Sequence, residues 1–371
     1  MNEVYDIAII GGGISGVGVA LAAAQKGKKV VLVEKETLLA QTSSNSLRII
    51  HGGLRYLQSF HFPRVWQSLQ AQVELLRLYP QHVRRLPCLM PLQEWGLKRK
   101  PFMAAAAIFY NALYRLGGGE VPNASLLSIY DIEKLCPRVA HLFSRGAFLW
   151  HDAYVEDLSL FFAALRQQLL ELGVEVKERC SVSSISKNTH GYTVSGASSV
   201  HATQVVNTAG PWFRSAIHLN GVSLTQSPLA WAKGYNILFS KPFPSSYALG
   251  LQGKSGRLFF LAPRAQGFAV GTWYNRYEGD PSEVAVSQEE VQSALEEITE
   301  LFPDLSLKAG DVSSVEVGVL PMKGYDSIGD PKLFGAEHYF TSGGYVEVLS
   351  TKFTPFLPQG RKVLALLERS M

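Results

Sequence analysis

An α/β fold joined to a β-rich α+β unit is predicted by three features of the sequence. A β-prone run, Tyr5 to Ile10, breaks into the glycines Gly11, Gly12 and Gly13 and leads into an apolar helical pattern. A second β-prone run, "KVVLVE", follows and ends at Glu34. Beyond residue 230, runs such as "YNILF", "RLFFLA" and "FAVGTWY" carry the β-branched and aromatic content of a sheet.

The first two features make a βαβ opening, with "ISGVGVALAAAQKG" as the helix, ending at Gly27. Residues 62–79 read as helical, and so do 156–172, where Leu158, Phe161, Phe162, Leu165 and Leu169 recur at helical spacing. "VEVKE" and "GYTVSG" read as short strands. A helix near 287–301, strands at 312–319 and 338–341 and a last helix at 355–369 complete the order, with no internal repeat. This order predicts a nucleotide unit assembled from three separated segments, with a β-rich unit inserted between them.

At 371 residues, with 47% apolar and 18% charged, the chain suits about two domains and can bury a sizeable core. A net charge of +4 from 35 basic and 31 acidic residues, spread along the chain, argues against nucleic acid. Cys88, Cys136 and Cys180 are too far apart for a disulfide framework or a metal motif, so no metal and a cytoplasmic setting are expected. The N-terminus does not read as a secretory signal, and no apolar run is long enough to span a bilayer. "KRKPFMAAAAIFYNALYRL", residues 98–116, places three basic residues before an apolar helical run, which fits either peripheral membrane contact or a buried helix. A monomer or small oligomer is expected.

Gly11, Gly13 and Gly16 form G-x-G-x-x-G between the first strand and its helix, with Ile14 and Ser15 inside the motif. Glycine permits the turn and a close backbone approach to a pyrophosphate, while the helix N-terminus offers amides to the phosphates. Glu34, followed by Lys35, ends the second strand where a carboxylate can accept from ribose hydroxyls. This unit alone does not separate NAD from FAD.

The stretch from Thr42, "TSSNSLRIIHGGLRYL", resembles the segment after the second strand in FAD-dependent glycerol-3-phosphate dehydrogenases, within the superfamily of D-amino-acid oxidase and glycine oxidase. "VVNTAGPW", Val205 to Trp212, resembles a second cofactor-contacting stretch of that family, and "TSGGYVEVLSTKFTP" a third. The resemblance implies FAD as cofactor and a Rossmann-like FAD-binding domain of the glutathione reductase type, at 1–85, 150–225 and 310–371. It also implies an inserted mixed β-sheet substrate domain at 86–149 and 226–309. The cofactor contacts it implies are Thr42, Ser43, Ser44, His51, Gly52, Gly53 and Leu54 in the first stretch. Val182 comes next, then Thr208, Ala209, Gly210 and Trp212, and finally Gly343, Gly344, Tyr345 and Val346. His51, Arg55 and Tyr56 are implied to lie near flavin and substrate. Read without the family, Ser43 and Ser44 could be turn caps, Arg55 an ion-pair partner and Tyr56 a core aromatic.

Departures from the family fall at expected substrate positions. A "GVRP"-like turn reads "GVLPMKG", with Leu320 in place of Arg. Tyr345 follows the last glycine pair in place of Lys, and Asn236 of "KGYN" replaces a His. Lys233, Lys323 and Arg55 are the basic residues that could partly substitute, and Tyr235, Trp273, Tyr274 and Tyr345 could give an aromatic pocket. The expectation is an FAD-dependent oxidoreductase taking a hydride from a CH-OH or CH-NH carbon of a small molecule other than glycerol 3-phosphate or a simple amino acid. The alternative is a flavoprotein acting as redox sensor or carrier.

Overall fold

Strand β1 (Val4–Ile10) buries Ile7 through Ile10 on both faces, as an interior strand of a covered parallel sheet must. It pairs in parallel with β2 (Val30–Val33) on one side and with Ser199–Asn207 on the other, so Ile10 lies between Val33 and Asn207. Helix α1 (Ile14–Gln25) makes the crossover and is buried along most of its length. Glu175–Lys177 extends the sheet past β2, again in parallel. The strand Ser199–Asn207 changes partner along its length: its first half pairs with Gly191–Gly196, and Val205–Asn207 pairs in parallel with Tyr345–Leu349. These parallel strands therefore end at one edge, at Ile10, Val33, Asn207 and Leu349, where an open α/β sheet offers its ligand crevice.

The computed structural model describes residues 3–57, 60–119, 123–224, 229–243, 245–253, 256, 258–326 and 329–369, with the side chains of Arg55 and Asp304 outside that description. The last helix, Phe356–Glu368, lies on α1 through glycine. A Cβ on Gly18 would sit 2.2 Å from the Phe356 carbonyl oxygen, and one on Gly360 would sit 2.0 Å from that of Gly18. The two backbones thus touch directly, which brings the start of the last helix over the same sheet edge.

A second, ten-stranded sheet has Ala230–Phe239 as an interior strand, antiparallel to both Gly267–Tyr277 and Val312–Tyr325. Val83–Pro91 pairs with Ala147–Val155 and joins them to this sheet. Sheet membership thus puts Val312–Tyr325 with the second sheet, although the sequence assigned residues 310–371 to the nucleotide unit. Tyr235, Ile237 and Phe239 alternate onto one face, in a core shared with the helix Gln288–Leu301. Gly234 and Asn236 turn to the opposite face.

Helices α2 (Leu54–Leu57), α3 (Phe62–Leu78) and α4 (Lys100–Leu116) follow the opening segments. α4 buries Met103, Ala107, Tyr110 and Tyr114 along one stripe, so the helix reading of 98–116 holds for that face. Among the described residues, no helix is long and apolar enough to cross a membrane.

Candidate active site

A continuous cavity of about 1430 Å³ opens at the carboxyl edge of the parallel sheet, larger than the ~300–1,000 Å³ of an ordinary small-ligand pocket. One end is walled by Gly11, Gly13, Ile14, Ser15, Glu34 and Lys35, the other by His51, Leu320, Thr351 and Lys352. Such a shape suits a long, two-ended molecule better than a small metabolite alone.

The nucleotide end is built from backbone. Gly11 has φ +94°, and a Cβ there would meet the Thr208 carbonyl oxygen at 2.6 Å. Gly16 does not line the cavity; a Cβ on it would meet the Gly11 carbonyl oxygen at 2.0 Å, so its work is to let α1 approach β1. The Glu34 carboxylate accepts from the Gly12 amide at 2.6 Å and the Glu36 amide at 2.9 Å, which fixes it at the end of β2 with further lone pairs to offer. Lys35 places its Nζ 3.7 Å from the centre of the Trp212 ring, and both line the cavity. Val182, Thr208, Ala209 and Gly210 complete this wall. The Thr208 hydroxyl is engaged with the carbonyl oxygens of Ile10 and Gly11, each at 2.8 Å, which ties the second stretch to the glycine turn.

Along the opening stretch, Thr42, Ser43, His51, Gly53 and Leu54 face the cavity. Ser43 Oγ accepts from the Ile14 amide at 3.0 Å and so caps α1 from outside the helix. Ser44 does not reach the cavity: its hydroxyl donates to the Gln41 carbonyl oxygen at 2.9 Å, the turn cap that the bare sequence also allowed. Gly52 is likewise behind the wall, packed so that a Cβ would meet the Tyr110 hydroxyl at 2.3 Å. The Arg55 side chain lies outside the described residues.

The third stretch is where the structure corrects the sequence reading. Gly343 and Gly344 form the hairpin turn between His338–Ser342 and Tyr345–Leu349, at the amino end of a strand whose carboxyl end meets the cavity. Neither glycine, nor Tyr345, nor Val346 lines the cavity. Tyr345 is fully buried, donates to Glu347 at 2.9 Å and accepts from Asn207 at 3.0 Å. Burial first, and the neighbouring Glu347 second, push its phenol well above the ordinary value. The residues that do reach the cavity are Leu349 to Pro355, five and more positions further on, because a strand intervenes.

That shift restores a cation. Lys352 Nζ enters the cavity wall, donating to the Gly335 carbonyl oxygen at 2.6 Å and to the Tyr56 hydroxyl, both neutral partners. Tyr56 is accordingly a wall residue, and Arg64 from α3 stands over its ring at 5.8 Å. Lys323 is exposed at the rim. Lys233 is not available: it bonds Glu290 at 2.7 Å on the far face of the second sheet. Tyr235 and Trp273 stack there at 5.7 Å, so of the four proposed pocket aromatics only Tyr274 lines the cavity. The reason is strand alternation, which turns positions 233 and 235 away when 234 and 236 face in. Asn236 does face in, its amide oxygen accepting from Thr272 at 2.8 Å.

Two further features had no sequence signal. Asp152, buried in the cavity wall, accepts from the Gly52 amide at 2.8 Å with one oxygen and lies 2.8 Å from His51 Nδ1 with the other. His51 itself is half exposed into the cavity, with Phe260 5.0 Å from its ring centre. Arg48, in the wall, pairs with Glu316 at 3.4 Å, and its Nε has no hydrogen-bond partner among the described residues. Burial raises the Glu316 carboxyl, while burial and then Arg48 lower the Arg264 guanidinium beside it to about 10.

Residues 6–347 match the family described as FAD dependent oxidoreductase. The chain is 30% identical over 345 residues to a glycerol-3-phosphate dehydrogenase of Synechocystis, covering 86% of this chain and 61% of that protein. It is 30% identical over 369 residues to a D-erythritol 1-phosphate dehydrogenase of Brucella abortus, covering 95% and 72%. It thus spans about six tenths of the length of the Synechocystis relative. Among solved structures, the Bacillus halodurans glycerol-3-phosphate dehydrogenase complexed with FAD superposes with a TM-score of 0.75 at 19% identity, over 99% of this chain and 65% of that one. The Geobacillus kaustophilus glycine oxidase superposes with a TM-score of 0.71 at 20% identity, over 99% and 95%. The long cavity with its glycine cradle at one end and an acid-held imidazole at the other fits the cofactor of that family: the chain belongs to the FAD dependent oxidoreductases, and FAD is its cofactor.

Proposed function

We propose that the chain oxidises a CH-OH carbon of a small substrate carrying an anionic group. FAD would lie with its nucleotide end against Gly11, Gly13 and Glu34 and its flavin end near His51, Leu320 and the loop 350–355. When bound, it supplies the two-electron acceptor that no side chain can provide. The observation that carries the reading is the His51–Asp152 pair opening into a cavity that also holds Lys352 and Arg48.

His51 is the base of this scheme. With Nδ1 held by Asp152, Nε2 is the nitrogen left to take the substrate's hydroxyl proton, while Asp152 fixes the ring and balances the positive charge that forms. The cations Lys352 and Arg48 would bind the anionic group. The expectation of a substrate other than glycerol 3-phosphate or a simple amino acid leaned on Leu320, Tyr345 and Asn236; Tyr345 stands outside the cavity, while Leu320 still denies an arginine at its own position, so recognition of an anionic group falls to Lys352 and Arg48.

An anaerobic screen tests the reading. Phosphorylated polyols, hydroxy acids, neutral alcohols and amines are mixed with the oxidised holoprotein, and bleaching of the flavin band is followed. Anionic hydroxy compounds should bleach it fastest. Bleaching by amines alone, or equally by neutral alcohols, would remove the assignment.

A further inference from the structure

We propose that an apolar side arm of the cavity holds the distal part of the substrate, a chain that ends in an anionic group at Lys98. This rests on the oxidation proposed above only in taking His51 as the reacting end. Beyond His51 the wall is apolar. The Phe260 ring lies 5.0 Å from that of His51, the Trp150 ring lies 6.3 Å from that of Phe260, and Met90 and Gly250 line the same cavity. Gly250 stands opposite Phe260 in the antiparallel pair of Ala248–Gln252 with Leu258–Arg264. A Cβ there would meet Trp150 at 3.4 Å and Phe260 at 3.6 Å, so the room in front of both rings stays open because position 250 carries no side chain. Apolar wall of this kind is covered at a gain in free energy by an apolar chain.

Lys98 closes the row. It stands two residues before α4 and lines the cavity, and its Nζ donates to Gln252 Oε1 at 3.2 Å, two positions along the strand from Gly250. That partner is neutral, and the sequence has no Asp or Glu from Trp95 through Gly119. Among the described residues Lys98 has no ion pair, and burial lowers its ammonium below the ordinary value. A partly desolvated cation with a neutral partner gains most from a carboxylate or phosphate monoester. From the His51 ring the row runs ~12 Å, counting ~4.8 Å between strands and ~3.4 Å per residue along them. Length and charge together define the class: a medium-length hydroxy compound with a terminal anion. Lys352 and Arg48 remain for an anionic group beside the reacting carbon.

The test reads binding and not turnover, so its failure is distinct from failure of the proposed oxidation. Butyrate, hexanoate, octanoate, octyl phosphate and 1-octanol are titrated into the oxidised holoprotein by calorimetry, and the flavin band is recorded for each. Affinity should rise by about fourfold per added methylene, with the band perturbed by the longer chains and not by butyrate. Lys98→Met, with flavin content and melting temperature unchanged, should weaken octanoate or octyl phosphate by at least roughly fivefold and leave octanol as it was. The tighter of the two anions in the wild type names the head group. Gly250→Leu should remove the gain beyond hexanoate. Affinity that does not grow with chain length, or octanoate and octyl phosphate that bind Lys98→Met as they bind the wild type, overturns the proposal. So does a loss that appears in Lys352→Met or in the cavity-external Arg99→Gln in place of Lys98→Met.

Discussion

His51 Nδ1 lies 2.8 Å from Asp152 Oδ2, a contact between residues 101 positions apart in the chain. Asp152 sits on the strand Ala147–Val155, and its second oxygen holds the Gly52 amide, so one carboxylate fixes both the ring and the backbone beside it. Gln72 adds a weaker donor at 3.4 Å. An imidazole held in this way keeps one orientation.

His51→Asn should therefore lower the rate of flavin reduction by ~10²–10⁴, the usual contribution of a positioned base. Asp152→Asn should lower it by less, and should leave FAD content nearly intact if the Gly52 amide keeps the remaining carbonyl oxygen. Stopped-flow reduction with the substrate found by screening checks both. A normal rate in His51→Asn would take the base role away from this residue.

Lys352→Met removes a cation whose other contacts are neutral, so the loss should appear in binding of the anionic group. A charge-assisted hydrogen bond is worth about 1.5–3 kcal/mol, which is roughly tenfold to 150-fold in KM. Neutral analogues should be little affected. If Lys352→Met changes both classes alike, the lysine supports the wall through Tyr56 and Gly335 and does not select substrate.

The βαβ opening and the helices expected at 62–79, 156–172, 287–301 and 355–369 were legible because each rests on local periodicity or on glycine, whereas the three cofactor stretches were read by resemblance, and the third meets the cavity only from Leu349 onward. The helix at Phe356–Glu368 and the strand at Val312–Tyr325 fall where their patterns put them. The substrate end was less legible. Whether Tyr345 or Lys352 faces the cavity depends on which end of a strand carries the glycine pair, and that is settled only by parallel pairing with Ser199–Asn207. Lys233 and Tyr235 were lost to strand alternation, which flips with a one-residue change of register. Asp152 reaches His51 by antiparallel pairing of Ile49–Ile50 with Ala153 and Tyr154, a relation no local pattern encodes.

Tyr79 gives a pH test of the packing behind α3. Its hydroxyl donates to Gln168 Oε1 at 2.7 Å, and burial first, then Glu74, raises its pKa to about 12. Because the folded value exceeds the unfolded value of ~10, its contribution is complete below pH 10 and is lost as pH rises through about 12. Tyr79→Phe should cost ~1 kcal/mol at pH 7, the worth of one hydrogen bond, and that deficit should vanish by about pH 11. Urea unfolding of both proteins across pH 7–11 measures it, and a constant difference would show that the phenol titrates alike in both states.

The glycine cradle separates cofactor contact from fold. A Cβ on Gly16 would lie 2.0 Å from the Gly11 carbonyl oxygen, which is backbone and cannot swing aside, so Gly16→Ala must push α1 away from β1. That shift should cost about 1–3 kcal/mol of stability, as overpacking does, and weaken FAD because the amides at the start of α1 move with it. Gly13 has φ −69° and a Cβ would meet only Ser43 Oγ, at 3.3 Å, so Gly13→Ala should fold normally. Yet Gly13 lines the cavity, and a methyl there stands where backbone should approach the pyrophosphate. The expected pattern is lower apoprotein melting and weaker FAD binding in Gly16→Ala, but weaker FAD binding alone in Gly13→Ala. Apoprotein melting curves and FAD titration decide it: wild-type affinity in Gly13→Ala would mean that the pyrophosphate does not pass that position.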